Sequence, residues 1–206
     1  MKKIILLLTL FFVCANNSFA GEADVRKFID DLGNKIIKTA DDKNLTIKQR
    51  RDKLINIVDE VIDAGWISKF VLGRNYRIAT KEQRSQFKVL YRDFMIHTYS
   101  PQFTGYNGES FVVDSIIDNG NYHTVECSFL TKGDAPTINI DFRVRKNTKT
   151  PEKTNFLIFD ILAEGISLIE TQRSEFGSTI DRDGMEKFMN DLKERTLNIK
   201  AEQKSS

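Results

Sequence analysis

The sequence predicts an α+β fold in which several helices pack against a four- or five-stranded antiparallel sheet. Three observations carry that prediction. Apolar residues recur at helical spacing up to about residue 103, and from Glu109 the period changes from 3.6 to 2. The alternating segments are joined by connections too short for parallel crossovers, which makes an antiparallel meander. Finally, the run Phe156-Leu157-Ile158-Phe159-Asp160-Ile161-Leu162-Ala163-Glu164-Gly165-Ile166-Ser167-Leu168-Ile169-Glu170 passes from a buried strand into a helix almost without a linker.

The chain opens on a leader. Lys2 and Lys3 form a basic start, Ile4 to Val13 an apolar stretch, and Ser18-Phe19-Ala20 a small-residue cleavage pattern, so residues 1–20 read as a signal peptide cut before Gly21. That apolar stretch covers only half of the roughly 20 residues a bilayer-spanning helix needs. Phe12 and Val13 are too bulky to make Cys14 a lipidation site. The full chain carries 31 basic and 29 acidic residues, and loss of Lys2 and Lys3 leaves 29 against 29. A formally neutral chain without a nucleic-acid motif is not read as a nucleic-acid binder. Only Cys127 survives cleavage, so no internal disulfide can form and packing must hold the fold.

Residues 21–199 read as one domain, helical over 21–103, sheet over 109–163 and helical again over 167–199, with a frayed tail at 200–206. Val25, Phe28, Ile29, Leu32 and Ile36 form one apolar stripe; Leu54, Ile57, Val58, Val61 and Ile62 form a second behind the capping pair Thr46 and Gln49. Trp66 to Leu72 is a short apolar helix stopped by Gly73. Thr80 and Gln83 cap a longer helix with Phe87, Leu90, Tyr91, Phe94 and Thr98 on one stripe, and Pro101 is expected to follow its end.

Ser110 to Ile117 and Tyr122 to Leu130 flank Asn119-Gly120 and predict a hairpin. Thr137 to Arg145 alternates Ile138, Ile140, Phe142 and Val144 with Asn139, Asp141, Arg143 and Arg145, a strand with one wet face. After the polar loop 146–154 comes the strand Phe156–Ala163. Gly165 supplies a sharp turn, and Ser167 with Glu170 spells a capping box for a helix from Leu168 to about Asp181. A further box, Asp183 to Glu186, is expected to start a last helix with Met185, Phe188, Met189 and Leu192 inward.

Catalytic chemistry is scarce. The chain has no Gly-rich phosphate loop, nucleophile elbow or H-E-x-x-H, and its two histidines, His97 and His123, read as a helix-end charge and a strand residue. No metal site or cofactor is expected. Asp160, an acid in an apolar strand, needs a partner or a raised pKa, and reads either as the general base of a cone-shaped hydrolase or isomerase or as a carboxylate held by an Arg or by helix-end N–H groups. Cys127 lies four strand residues from His123, roughly 13 Å along an extended chain, too far to be activated as a nucleophile.

Two segments resemble a known family. Phe70-Val71-Leu72-Gly73-Arg74-Asn75-Tyr76-Arg77, then Ala79-Thr80-Lys81-Glu82-Gln83-Arg84 and Phe87, is similar to the central signature of the MlaC, or toluene-tolerance, periplasmic proteins. Phe159-Asp160-Ile161, Glu164-Gly165-Ile166-Ser167-Leu168 and Arg173-Ser174-Glu175-Phe176 resemble its second signature, with Gly184 and Leu192 in the closing segment. Tyr76 departs from the Trp expected at least as often there, but keeps an amphipathic ring.

The resemblance implies a curved antiparallel sheet under helices, enclosing an apolar pocket. It also implies a periplasmic phospholipid carrier, with bound phospholipid as its ligand and no cofactor. Such carriers work between an inner-membrane Mla ABC transporter complex and an outer-membrane MlaA lipoprotein with porin, in outer-membrane lipid asymmetry. The candidate pocket residues, picked from apolar faces, are Phe70, Leu90, Phe94, Val125, Cys127, Phe129, Ile140, Phe142, Phe159 and Ile166. Arg74 and Arg77 are candidate headgroup or partner contacts, and Asp160, Gly165 and Ser167 form the junction of sheet and helix. Two other readings stay open on the residues: an envelope enzyme using Asp160, and an adaptor or chaperone with an apolar groove.

Overall fold

The computed structural model describes residues 17–104, 110–130 and 137–205. The leader up to residue 16, with Cys14, lies outside the described residues. Helices α1 (Asn17–Ala40), α2 (Ile47–Val61), α3 (Ala64–Leu72), α4 (Asn75–Ile78) and α5 (Lys81–Thr104) precede strands β1 (Ser110–Asp118), β2 (His123–Leu130), β3 (Ile138–Lys146), β4 (Phe156–Ala163) and β5 (Ile166–Ser167), and α6 (Leu168–Asp183) and α7 (Met185–Ser205) follow. The strands form one antiparallel sheet in sequence order, with β5 as its fifth member. The α+β meander is as the alternating pattern predicts.

Local chemistry sets the boundaries. The capping box of α2 is complete: the Thr46 hydroxyl accepts from Gln49 N–H while the Gln49 side chain accepts from Thr46 N–H at 2.9 Å. Thr80 and Gln83 repeat the exchange before α5. Gly73 ends α3 at φ +54°, a conformation open to glycine.

Several expectations are corrected. Pro101 does not stop α5, which continues to Thr104. The His97 carbonyl loses the N–H that residue 101 would supply, and the Gln203 side-chain amide of α7 donates to it instead at 2.6 Å. This contact lies beyond Lys200, where fraying is expected; α7 stays helical to Ser205. The carboxylate of Asp183 pairs with the Arg182 guanidinium at the end of α6. At the other end of α6, only half of the expected box forms. The Ser167 hydroxyl accepts from Glu170 N–H, but the Glu170 carboxylate turns to Arg143. In the β1–β2 loop only Gly120 has positive φ, and Asp118 pairs with His123 across four loop residues; the tight two-residue turn is instead Glu164-Gly165, between β4 and β5.

Two cores hold the molecule. A helix core of α3, α5, α6 and α7 centres on Phe87, Tyr91, Phe94, Phe176 and Phe188. A sheet core packs Val25, Ile29 and Leu32 of α1 and Ile57 and Val61 of α2 against Val113, Val125, Cys127, Val144 and Ile158. Phe159 joins them. It is the extra residue of a bulge, since Arg143 pairs with Asp160 but Val144 with Ile158, and it turns away from Ile158 into the helix core against Trp66. The face of β3 expected to be wet is accordingly only partly so: Arg143 pairs with Asp160, and Arg145 pairs with Asp63 and lies over the Trp66 ring.

Candidate functional site

Strand register assembles an apolar wall from separate segments. Residues directly opposite one another share a face, so Phe111, Phe129 and Ile138 form one row, Val113, Cys127, Ile140, Ala163 and Ile166 a second, and Ile116, Val125, Phe142 and Ile161 a third. Helix α1 covers one end. Gly33 allows this, because a β-carbon there would stand 2.5 Å from the Phe111 ring. Burial then falls along the wall: Val125 and Cys127 are sealed, Phe111, Phe129, Ile140 and Phe142 are half-covered, and Ile138 is 45% exposed. The ring of Phe111, against which Gly33 of α1 packs, and that of Phe129 lie 5.1 Å apart, and the exposed side of the wall is the one that carries Ile138 and Ile166.

The ten candidate pocket residues are therefore divided. Val125, Cys127, Phe129, Ile140 and Phe142 line the wall, whereas Phe70, Leu90, Phe94 and Phe159 belong to the helix core. Ile166 continues the second row but sits at its outer edge, 66% exposed. Phe111, Val113, Ile116, Ile138, Ile161 and Ala163, which were not among the ten, complete the wall. Their signal was the same period-2 alternation, but assigning the face needs the register, and β1 and β4 both contain bulges.

Asp160 has no side-chain surface left for a substrate. One carboxylate oxygen accepts from the Ser167 hydroxyl at 2.7 Å and from Arg143 at 3.0 Å; the other accepts from the N–H groups of Ile161 and Ile169. Burial pushes this carboxyl above its ordinary range, against the pull of the Ser167, Ile169, Arg143 and Ile161 contacts. Gly165, at φ +77°, and Ser167, the N-cap of α6, fix the adjoining turn. His97 Nδ1 lies 3.0 Å from the Gln203 side-chain oxygen. Among the described residues no group of histidine, cysteine and acidic side chains could hold a metal ion.

Burial, reinforced by Asp114, Asp141 and Asp30, pushes the Cys127 thiol up to about 12. The native protein should therefore react with a thiol reagent at pH 8 about a thousandfold more slowly than an ordinary cysteine, with full reactivity returning in denaturant. In protein that begins at Gly21, whose single cysteine is Cys127, a kinetic trace with one fast native equivalent would contradict the sealed position.

Arg74 and Arg77 lie elsewhere, on an open cleft of about 590 Å³ at the junction of α3, α4, α5 and α6. Its floor is Trp66, Phe70 and Tyr76, and Lys69, Arg84 and Arg173 join the two arginines around it.

A family model described as MlaC protein matches residues 29–194. The chain belongs to the MlaC family. A relative from Haemophilus influenzae, the intermembrane phospholipid transport system binding protein MlaC, is 20% identical over 126 residues, 60% of this chain and 58% of that protein. The aligned part thus spans little more than half of that relative's length. A solved structure of a phospholipid-binding protein from Ralstonia solanacearum, in complex with a phospholipid, superimposes with a TM-score of 0.72 at 18% identity, covering 85% of this chain and 98% of that one. This MlaC-family chain shares its fold.

Proposed function

We propose that this protein is a periplasmic phospholipid carrier, exported by its N-terminal leader, whose half-covered apolar wall holds the acyl chains. The observation that carries the reading is the wall itself: three in-register apolar rows that are sealed at Val113, Val125 and Cys127 beneath α1 and exposed toward Ile138 and Ile166. Family membership and the ligands in the names of its relatives point the same way.

The energetics require such a surface. Two acyl tails of about 30 CH₂ groups, at about 0.8 kcal/mol each, lose roughly 24 kcal/mol in water. Free diffusion between membranes is then negligible, whereas a wall that covers the tails as a bilayer does makes each transfer nearly neutral. Small differences between donor and acceptor can then set direction, and the protein needs no covalent chemistry. In this reading the carrier exchanges lipid with an inner-membrane Mla ABC transporter complex and an outer-membrane MlaA lipoprotein with porin, and so maintains outer-membrane lipid asymmetry. No helix of the described residues is long and apolar enough to cross a membrane.

Organic extraction of natively purified protein, read by mass spectrometry, should release phospholipid in stoichiometric amount. Protein that emerges lipid-free and takes up none from vesicles would overturn the carrier reading. Recovery of bound client polypeptides in place of lipid would favour an adaptor.

A further inference from the structure

The cleft beside α3 concentrates positive charge in a chain whose mature form is neutral. Lys69, Arg74, Arg77, Arg84 and Arg173 line it, and no carboxylate does. Arg74 alone of the five reaches a described carboxylate, that of Asp181, in an ion pair exposed to solvent. Three of the other four, Lys69, Arg84 and Arg173, are placed by rings or backbone. Arg173 lies over Phe70 at 4.7 Å, Arg84 and Lys69 lie over Tyr76 at 4.6 and 5.5 Å, and the Arg84 guanidinium donates to the carbonyls of Ala79 and Arg77. Gly73 gives Arg173 its room: a β-carbon there would stand 3.1 Å from the Arg173 Nε.

Like charges gathered in one concavity repel, and solvated lysines and arginines have no reason to converge there. The arrangement fits an anion. The ring faces are already covered by cations, so an apolar anchor would have to displace them, while an anion adds to them and displaces nothing. A cleft of about 590 Å³ has room for a small molecule that bears such an anion, and planar guanidinium forks match the oxygens of a phosphate. We propose that this cleft is a binding site for a phosphate-bearing group, separate from the apolar wall. The group comes either from a phospholipid headgroup or from a free phosphate compound.

Trp66, the single tryptophan of the chain, lines the cleft and reports on it directly. Its emission is followed while full-length mature protein is titrated, at constant ionic strength, with inorganic phosphate, with glycerophosphoglycerol, and with a poly-glutamate peptide. A saturable change with either phosphate compound is expected, weakening as salt is raised. A response to glycerophosphoglycerol alone identifies the headgroup as the source, and a response to both admits free phosphate. Arg77→Glu should weaken binding about tenfold or more, because a charge-assisted contact becomes a repulsion. Arg77 is exposed and holds no ring in place, so this variant should fold; Arg173→Glu is the second, checked by its unfolding curve. Lys53→Glu, the same charge change on the exposed face of α2, should change affinity less than about twofold. No saturable response, equal weakening by Arg77→Glu and Lys53→Glu, or binding of poly-glutamate alone would overturn the proposal. The titrations use protein freed of lipid by extraction and refolding, and the carrier reading is judged separately by the lipid extracted beforehand: a silent cleft in delipidated protein that had released phospholipid removes this site only, and a responsive cleft in protein that held and takes up no lipid removes the carrier only.

Discussion

Asp160→Ala is expected to lower the free energy of unfolding by about 3–5 kcal/mol, the range found when one partner of a buried ion pair is removed. The side chain is fully buried and joins four donors from four elements: the Ser167 hydroxyl on β5, Arg143 on β3, and the N–H groups of Ile161 on β4 and Ile169 in the first turn of α6. Alanine leaves all four without their acceptor, with the Arg143 guanidinium left beside an empty site. Glu170 keeps a hold on that guanidinium at 3.2 Å from an exposed position, which limits the loss without replacing the buried contact. Asp160→Asn keeps the shape but turns an amide N–H₂ toward donors, and should cost about 1–3 kcal/mol, as for buried groups left unsatisfied. Urea titration of the three proteins measures both. A loss below 1 kcal/mol for alanine would show that the junction of sheet and α6 is held by its apolar contacts alone. The same network explains why an acid in an apolar strand is no general base here: its lone pairs are committed to holding the helix against the sheet.

Much of this architecture was legible because it is written in short periods. The alternation of β3 and the capping pairs Thr46/Gln49 and Thr80/Gln83 are local signals, and each recurs in the fold. The end of α5 was not, because the group that relieves Pro101 is Gln203, about a hundred residues away. Helix α4 and strand β5 are too short to show a period. For the candidate site the division is sharper. Periodicity marks Phe94 and Phe142 alike as buried, but only register and packing show that one lies in the helix core and the other on the wall. The cationic cleft takes residues from α3, α4, α5 and α6, and Arg173 enters it from the far end of the sequence. Its elements were visible as separate motif residues, Arg74, Arg77, Arg84 and Arg173; their convergence was not.

Phe176→Ala should be as costly as the loss of Asp160, for a different reason. The ring is 3% exposed at the centre of the helix core, 5.0 Å from Phe188 and between 6.1 and 6.4 Å from Tyr91, Phe94 and Phe87. Truncation removes its burial and opens a cavity that four other rings, three held on α5 and one on α7, cannot close, for about 3–5 kcal/mol. Phe176→Leu keeps much of the volume and should cost about 1–2 kcal/mol. Urea midpoints give the two values, and near-equal losses would mean that the core collapses around the missing ring. The variant also bears on where acyl chains lie. Phe176 belongs to the same helix core as Phe70, Leu90, Phe94 and Phe159, and that core includes no residue of the three sheet rows. If the wall holds the tails, folded Phe176→Ala protein should release as much phospholipid per chain on extraction as the wild type. Lipid lost from protein that is still folded would move the tails from the sheet into the helix core.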